Sequence, residues 1–194
     1  MCPLLYCRGL CYNFNMFKKF YPDKYIDSAY NIDFDEFYQK GYRAILFDID
    51  NTLVPHGAPL DERSRKLLMH LKEMGYGILF LSNNKEPRVK SFSDPVGGQY
   101  IYKANKPRVK GYLKAMEMLG TEKGNTLFVG DQLFTDICGA RNAGIYAILV
   151  GQVAKKEEIQ IVLKRILEKV VLFFYRRYCN TRGIAFIETK NTQN

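Results

Sequence analysis

The sequence predicts an α/β domain, a parallel sheet with helices on both faces. Between residues 43 and 150, short apolar runs alternate with segments whose apolar residues recur at helical spacing. Strands separated by helices of this length join by crossover connections, and crossovers give parallel pairing. The apolar runs are too continuous for a sheet with one wet face, so both faces are covered. Hydrophobic residues make up 47% of the 194, enough for one well-filled core and not comfortably two.

The elements follow in chain order. Residues 1–15 carry no capping signal, periodicity or cleavable signal pattern. They are expected to be a disordered or mis-assigned extension, with Met16 opening the natural chain. Residues 16–40 are aromatic-rich (Phe17, Phe20, Tyr21, Tyr25, Tyr30, Phe34, Phe37, Tyr38) and suggest short helical turns lying on the body. Ala44–Phe47 is the first strand. Leu60, Leu67, Leu68, Leu71 and Met74 then fall on one helix, which Gly75 ends. Ile78–Leu81 is a buried strand, followed by a short helix near Glu86–Phe92 and a strand over Tyr100–Tyr102. A helix over Val109–Leu119, a strand Thr126–Val129, a helix Thr135–Ala143 and a strand Ile145–Val150 complete the alternation. From Glu157 a broad apolar stripe (Ile159, Val162, Leu163, Ile166, Leu167, Val170, Phe173, Phe174) marks a last helix flanked by lysines and arginines. Residues 16–178 are expected to form the single domain and 179–194 a flexible tail.

Composition narrows the function classes. No run reaches the ~20 apolar residues of a membrane span. The cysteines (Cys2, Cys7, Cys11, Cys138, Cys179) have no zinc-type spacing and suit free thiols of a reducing cytosol. Two histidines, His56 and His70, argue against a histidine-built metal site or a Ser-His-Asp triad; His56 is given no role. The net charge of +9 favours phosphate-bearing partners: nucleic acid, anionic lipid or a phosphorylated substrate.

The chemistry sits where the strands end. Asp48 and Asp50 follow the first strand two positions apart, and strand residues at that spacing share a side. Two such carboxylates repel unless a cation or a shared proton intervenes. Ser82-Asn83-Asn84 follows the second strand, Asn105-Lys106-Pro107 the third, and Gly130-Asp131 the fourth, with Asp136 a short turn later. A parallel sheet brings these ends to one edge, where open α/β sheets place their ligands. One hydroxyl, one lysine and four carboxylates there suit a phosphate and Mg²⁺, which takes few protein ligands.

In these motifs the chain resembles the haloacid dehalogenase-like (HAD) phosphatase superfamily, over roughly residues 43 to 150. Within it the chain is similar to subfamily IIIA and the YqeG family, relatives of the phosphatidylglycerophosphate phosphatases. Asp48-Ile49-Asp50-Asn51-Thr52-Leu53-Val54 is close to the first motif and Gly130-Asp131-Gln132-Leu133-Phe134-Thr135-Asp136 to the fourth. The resemblance implies a Rossmann-like HAD fold and an aspartyl-phosphate mechanism. Asp48 is then the nucleophile and Asp50 the general acid and base. Ser82 and backbone N–H groups near Asn83 bind the phosphoryl group, and Lys106 balances charge. Mg²⁺ is held by Asp48, the backbone carbonyl of Asp50 and Asp131, with Asp136 a ligand or its support. The members tied to phosphatidylglycerophosphate carry lysine where this chain has Ile49.

Spacing adds one constraint. Asp48 to Ser82 holds a loop and one helix, and Ser82 to Lys106 holds less, so no cap domain fits. An open site suits a phosphate carried on something large. Phosphatidylglycerophosphate is the expected substrate, with the protein cytoplasmic and able to touch an anionic inner-membrane face through its basic C-terminal helix. The alternative placement of that helix is as the last layer packed on the sheet. The alternative functions are a HAD phosphatase on a soluble nucleotide, sugar phosphate or phosphoprotein, and a non-catalytic RNA- or anion-binding module. Nucleic acid is not the favoured partner, since no recognised binding motif is present.

Overall fold

The structure, a computed structural model, describes residues 17–154 and 159–187, side chains of 155–165 excepted. The readings for residues 1–15, Met16 and the first three cysteines, and for 188–194, lie outside the described residues.

Among the described residues six parallel strands form one sheet: β1 (Lys24–Ile26), β2 (Ala44–Phe47), β3 (Gly77–Leu81), β4 (Gln99–Ile101), β5 (Thr126–Gly130) and β6 (Tyr146–Val150). Their order is β1-β6-β5-β2-β3-β4. From β2 the chain winds outward to β3 and β4, then returns to β5 on the other side. The carboxyl ends of β2 and β5 therefore flank the point where the winding reverses, the place a crevice opens in such sheets.

Strand alternation divides the core into two layers. Ile45, Phe47, Ile78, Phe80, Leu127 and Val129 face one way. There they meet α1 (Phe34–Gln39), α2 (Glu62–Glu73) and α3 (Glu86–Ser93) through Phe34, Phe37, Leu68, Leu71, Val89 and Phe92. Leu46, Leu79, Leu81 and Phe128 face the other way. They pack against α4 (Lys110–Leu119), α5 (Cys138–Ala143) and α6 (Ile159–Arg182) through Tyr112, Ala115, Ala140, Val171, Tyr175 and Cys179. The Asp33 and Asp61 side chains accept from Glu36 N and Ser64 N and so cap α1 and α2. Gly120, at φ 64°, ends α4 in the left-handed region that glycine tolerates.

Three differences from the sequence reading have local causes. Residues 16–40 contain helical turns but also β1, whose three residues are too few to show a period. They pair with Ile148, Leu149 and Val150 of β6. The helix expected over Thr135–Ala143 opens instead as a π-helical turn, Leu133–Ile137, ahead of α5. The last helix runs past residue 178 to Arg182, Cys179 is fully buried, and Phe186 packs on Tyr25 and Tyr175. The packed chain thus extends into the segment expected as a tail.

Helix α6 docks on the sheet layer and also keeps a free face. Val171, Tyr175 and Cys179 are buried, whereas Ile166, Leu167, Val170 and Phe173 are 55%, 57%, 49% and 58% exposed. Its buried Glu168 accepts a hydrogen bond from Leu133 N at 2.7 Å, tying the helix to the loop after β5. No described helix is long and apolar enough to cross a membrane. Glu168→Ala leaves that buried N–H without this acceptor, and a buried unsatisfied donor costs about 1–3 kcal/mol. Urea titration is expected to show a loss of that size, and an unchanged midpoint would contradict the role given to Glu168.

Candidate active site

The site begins with Asp48, whose backbone N–H continues the sheet by donating to Val129 O at 2.9 Å. Its carboxylate is buried at the end of the central strand. Lys106 arrives from the loop after β4, fixed on both sides by Asn83. Lys106 N donates to Asn83 Oδ1 at 2.7 Å, and Asn83 Nδ2 donates to Lys106 O at 3.2 Å. The ammonium lies 2.5 Å from Asp48 Oδ1 and 2.7 Å from Asp136 Oδ1. Asp136 stands in the π-helical turn, its Oδ2 accepting from Gln132 N at 3.1 Å. The hydroxyl of Tyr112 on α4 reaches the Asp136 and Thr135 carbonyls, 3.1 Å from each, and backs that turn.

Asp48, Asp131 and Asp136 bring carboxylate oxygens within 4.8 Å of one another, all buried. One lysine cannot neutralise three carboxylates. Burial pushes the Asp48 carboxyl up, Lys106 opposes the rise and Asp136 adds to it, and together they bring it to about 7. Burial also opposes the charge of Lys106, but Asp136 and Asp48 outweigh it and hold the ammonium above the usual lysine value. Asp136 Oδ1 is buried and accepts no aligned hydrogen bond despite the nearby ammonium. Excess buried negative charge, oxygen donors and an acceptor with unused capacity fit a hard divalent cation.

Gly130 makes room for this arrangement. A Cβ there would stand 2.7 Å from Asp136 Oδ2 and 2.8 Å from its Cβ and Cγ. Only a residue without a side chain lets β5 end beneath that carboxylate.

Asp50 is placed differently from its neighbour. Its Oδ1 accepts from Gly57 N at 2.8 Å and from Arg88 Nη2 and Nε at 2.8 and 3.3 Å. Its Oδ2 accepts from Asn84 Nδ2 at 2.6 Å. The Asp50 carboxylate is therefore outside the three-carboxylate cluster; the role read for its backbone carbonyl does not depend on it. Ile49, between the two acids, is fully buried in the apolar core and turned away from the opening. Ser82 Oγ accepts from Asn84 N at 3.1 Å and leaves its own hydroxyl hydrogen to donate.

These groups meet in one cleft of about 220 Å³, lined by Asp48, Asp50, Ser82, Lys106 and Asp136 among others. At ~30 Å³ per water, that is room for roughly seven waters, or a phosphoryl group with its hydration. All four catalytic candidates from the sequence are thus brought together. His56, given no role by the sequence, lines the cleft too, as do Gln132 and Thr135. Arg88 was missed altogether. It sits on α3, and no spacing rule links it to an aspartate 38 positions away.

The family model for haloacid dehalogenase-like hydrolases matches residues 56–144. A Bacillus subtilis (strain 168) protein described as "Probable phosphatase YqeG" is 34% identical over 164 residues, 84% of this chain and 95% of that protein. The chain belongs to the YqeG family of HAD-like phosphatases. A glyceraldehyde 3-phosphate phosphatase of Pyrococcus abyssi (strain GE5 / Orsay) is 27% identical to this YqeG-family chain over 94 residues, 44% of the chain and 40% of that enzyme. Among solved structures, a HAD phosphatase from Thermococcus onnurineus aligns with a TM-score of 0.48 at 18% identity, covering 64% of this chain and 97% of that one.

The cluster geometry makes cation binding testable without any substrate. A ligand at a hundred times its Kd stabilises the folded state by about 2.7 kcal/mol. Saturating Mg²⁺ or Mn²⁺ is expected to raise the melting temperature of the wild type and to do little for Gly130→Ala, in which Asp136 is displaced. Equal shifts in both proteins would mean that the cation binds elsewhere.

Proposed function

We propose that this YqeG-family enzyme hydrolyses phosphomonoesters with Mg²⁺, through a phosphoryl group held transiently on Asp48. The observation that carries the reading is the buried Asp48 carboxylate, 2.5 Å from Lys106 Nζ and clustered with Asp131 and Asp136 at the floor of an open cleft.

In the first step an Asp48 oxygen attacks phosphorus while the bond to the ester oxygen breaks, and Asp50 passes its proton to the leaving oxygen. In the second, Asp50 takes a proton from water, the water oxygen attacks phosphorus, and Asp48 is released with inorganic phosphate. Lys106 counters charge on the phosphoryl oxygens, and the Ser82 hydroxyl donates to one of them. Arg88 and Asn84 hold Asp50 in place between these steps. Asp48, the backbone carbonyl of Asp50, Asp131 and Asp136 would hold Mg²⁺, which would supply charge neutralisation and orientation of the phosphoryl group.

The substrate we favour is phosphatidylglycerophosphate at the cytoplasmic face of an anionic membrane. Two features support it. The site has no cap: only a loop, α2 and the sheet strand β3 lie between Asp48 and Ser82, so a phosphate on a bulky carrier can enter. The free face of α6 is apolar and bordered by exposed Lys169, Arg176 and Arg177, a combination that suits peripheral contact with anionic lipid. A second reading, a soluble triose-phosphate-like monoester, is favoured by the stretch shared with the Pyrococcus enzyme.

Phosphate release from phosphatidylglycerophosphate in mixed micelles, beside soluble monoesters, separates the two. Fast, lipid-selective release that Asp48→Asn lowers by roughly 10³-fold or more is the expected result. Release from soluble esters alone would discard the lipid. The part played by Asp50 is read from the leaving group. An alkoxide needs the proton that a nitrophenolate does not, so Asp50→Asn and Arg88→Ala are expected to cut kcat on alkyl phosphates by about 10²–10⁴-fold. Both should cost far less on p-nitrophenyl phosphate. Equal losses on the two ester types would remove Asp50 from the acid role and Arg88 from its support.

A further inference from the structure

The cleft is bounded on one side by Asn83 and Lys106. A second depression of about 520 Å³ opens beside it, walled by Asn83, Lys103, Asn105, Lys106, Pro107 and Arg108. Asn83 and Lys106 line both spaces, so the two depressions adjoin across this hydrogen-bonded pair.

The two spaces differ in charge. The first holds an excess of carboxylate around Asp48. In the second, every ionisable wall residue is a cation. Lys106 is already committed to Asp48 and Asp136. Lys103 and Arg108 are exposed and make no ion pair among the described residues. Cations on a surface are ordinarily just solvated, and their exposure alone says little. Here, however, the loop after β4 that carries them is fastened at Lys103 and Ala104 to the Ser82–Asn84 segment, and at Arg108 to its own turn. Lys103 N donates to Asn84 O and Ala104 N to Ser82 O, each at 3.0 Å, and Arg108 N donates to Asn105 O at 2.9 Å. Lys103 is held at φ 44°, in the left-handed region that a lysine seldom occupies, and Asn105 at φ 55°, which asparagine tolerates. A conformation of this kind persists where surrounding contacts over-determine it, and such residues gather at ligand-binding sites.

We propose that this depression receives a second anionic phosphate of the same substrate, held by Lys103 and Arg108 while the scissile phosphomonoester sits over Asp48. This rests on the phosphatase reading above and narrows its substrates to monoesters that carry another phosphate group nearby. The second phosphate can be a diester, as in a phospholipid headgroup, or a free terminal phosphate.

The test compares kcat/KM of the full chain for three soluble substrates. They are glycerol 3-phosphate, the deacylated headgroup glycerophosphoglycerol phosphate, and propane-1,3-diol bisphosphate. The double variant Lys103→Ala/Arg108→Ala is set beside Lys66→Ala/Lys114→Ala, which removes the same charge outside both depressions. The wild type and the control are expected to prefer a doubly phosphorylated substrate by about tenfold or more, mainly through KM, and the Lys103/Arg108 variant to lose that preference. Preference for the headgroup compound assigns the diester, and preference for the bisphosphate assigns the free phosphate. No preference in the wild type, or one retained in the Lys103/Arg108 variant, overturns the subsite. Inactivity on all three, and on p-nitrophenyl phosphate, counts against the phosphatase reading instead. Calorimetric binding of glycerophosphoglycerol phosphate then decides the subsite alone: weaker binding in the Lys103/Arg108 variant than in the control supports it, and equal binding overturns it.

Discussion

The contact of Lys106 with Asp48 and Asp136 is the constraint on which the rest of the site depends. Three buried carboxylates at the ends of β2 and β5 would repel one another and shift toward their protonated forms without it. Removing one partner from a buried ion pair costs about 3–5 kcal/mol, so the lysine is as much a structural requirement as a chemical one. Yet it leaves the cluster short of positive charge, and Asp48 remains pushed up by burial. The cluster is thus of a kind that a divalent cation would relieve, which would link stability to cation binding.

The surrounding architecture serves the same constraint at several removes. Parallel pairing of β2 with β5, Phe47 opposite Val129, brings Asp48 and Asp131 to the same sheet edge, where their carboxylates meet. Gly130 gives Asp136 its space, Tyr112 backs its turn from α4, and Glu168 fastens α6 to the adjoining loop. Asn83 grips Lys106 from both sides. Asp50 is meanwhile kept apart, paired with Arg88, so two acids two residues apart take different environments. This separation suits the proposed division of labour, with Asp48 as nucleophile and Asp50 handling protons. The cationic depression beside Lys106 extends the division of charge beyond the reacting centre.

Much of this was legible in the sequence because strand ends carry it. Apolar runs located β2 to β6, and the polar residues after the first four of these named Asp48, Ser82, Lys106, Asp131 and Asp136. Parallel topology alone was then enough to bring them to one edge. What the sequence did not disclose involves contacts with no fixed spacing. Arg88 reaches Asp50 from a different helix, and the cationic wall of Lys103 and Arg108 depends on a left-handed loop that neither residue type announces. The strand β1 is too short to show alternation, and the π-helical turn at Leu133–Ile137 looks like ordinary helix at the level of apolar pattern. Asp50 shows the limit most clearly. Its spacing from Asp48 correctly placed it in the cleft, while its partners, which set its chemistry, came from Gly57, Asn84 and Arg88.

The account centres on Asp48 as the atom donor to phosphorus, and one measurement addresses that directly. The enzyme is mixed with a phosphomonoester and Mg²⁺, quenched in acid within a single turnover, digested, and the peptide containing Asp48 examined by mass spectrometry. The account requires a phosphoryl group on Asp48 that forms and decays at rates matching phosphate release. Phosphate released at the wild-type rate by Asp48→Asn, with no phosphorylated peptide in the wild type, would contradict it.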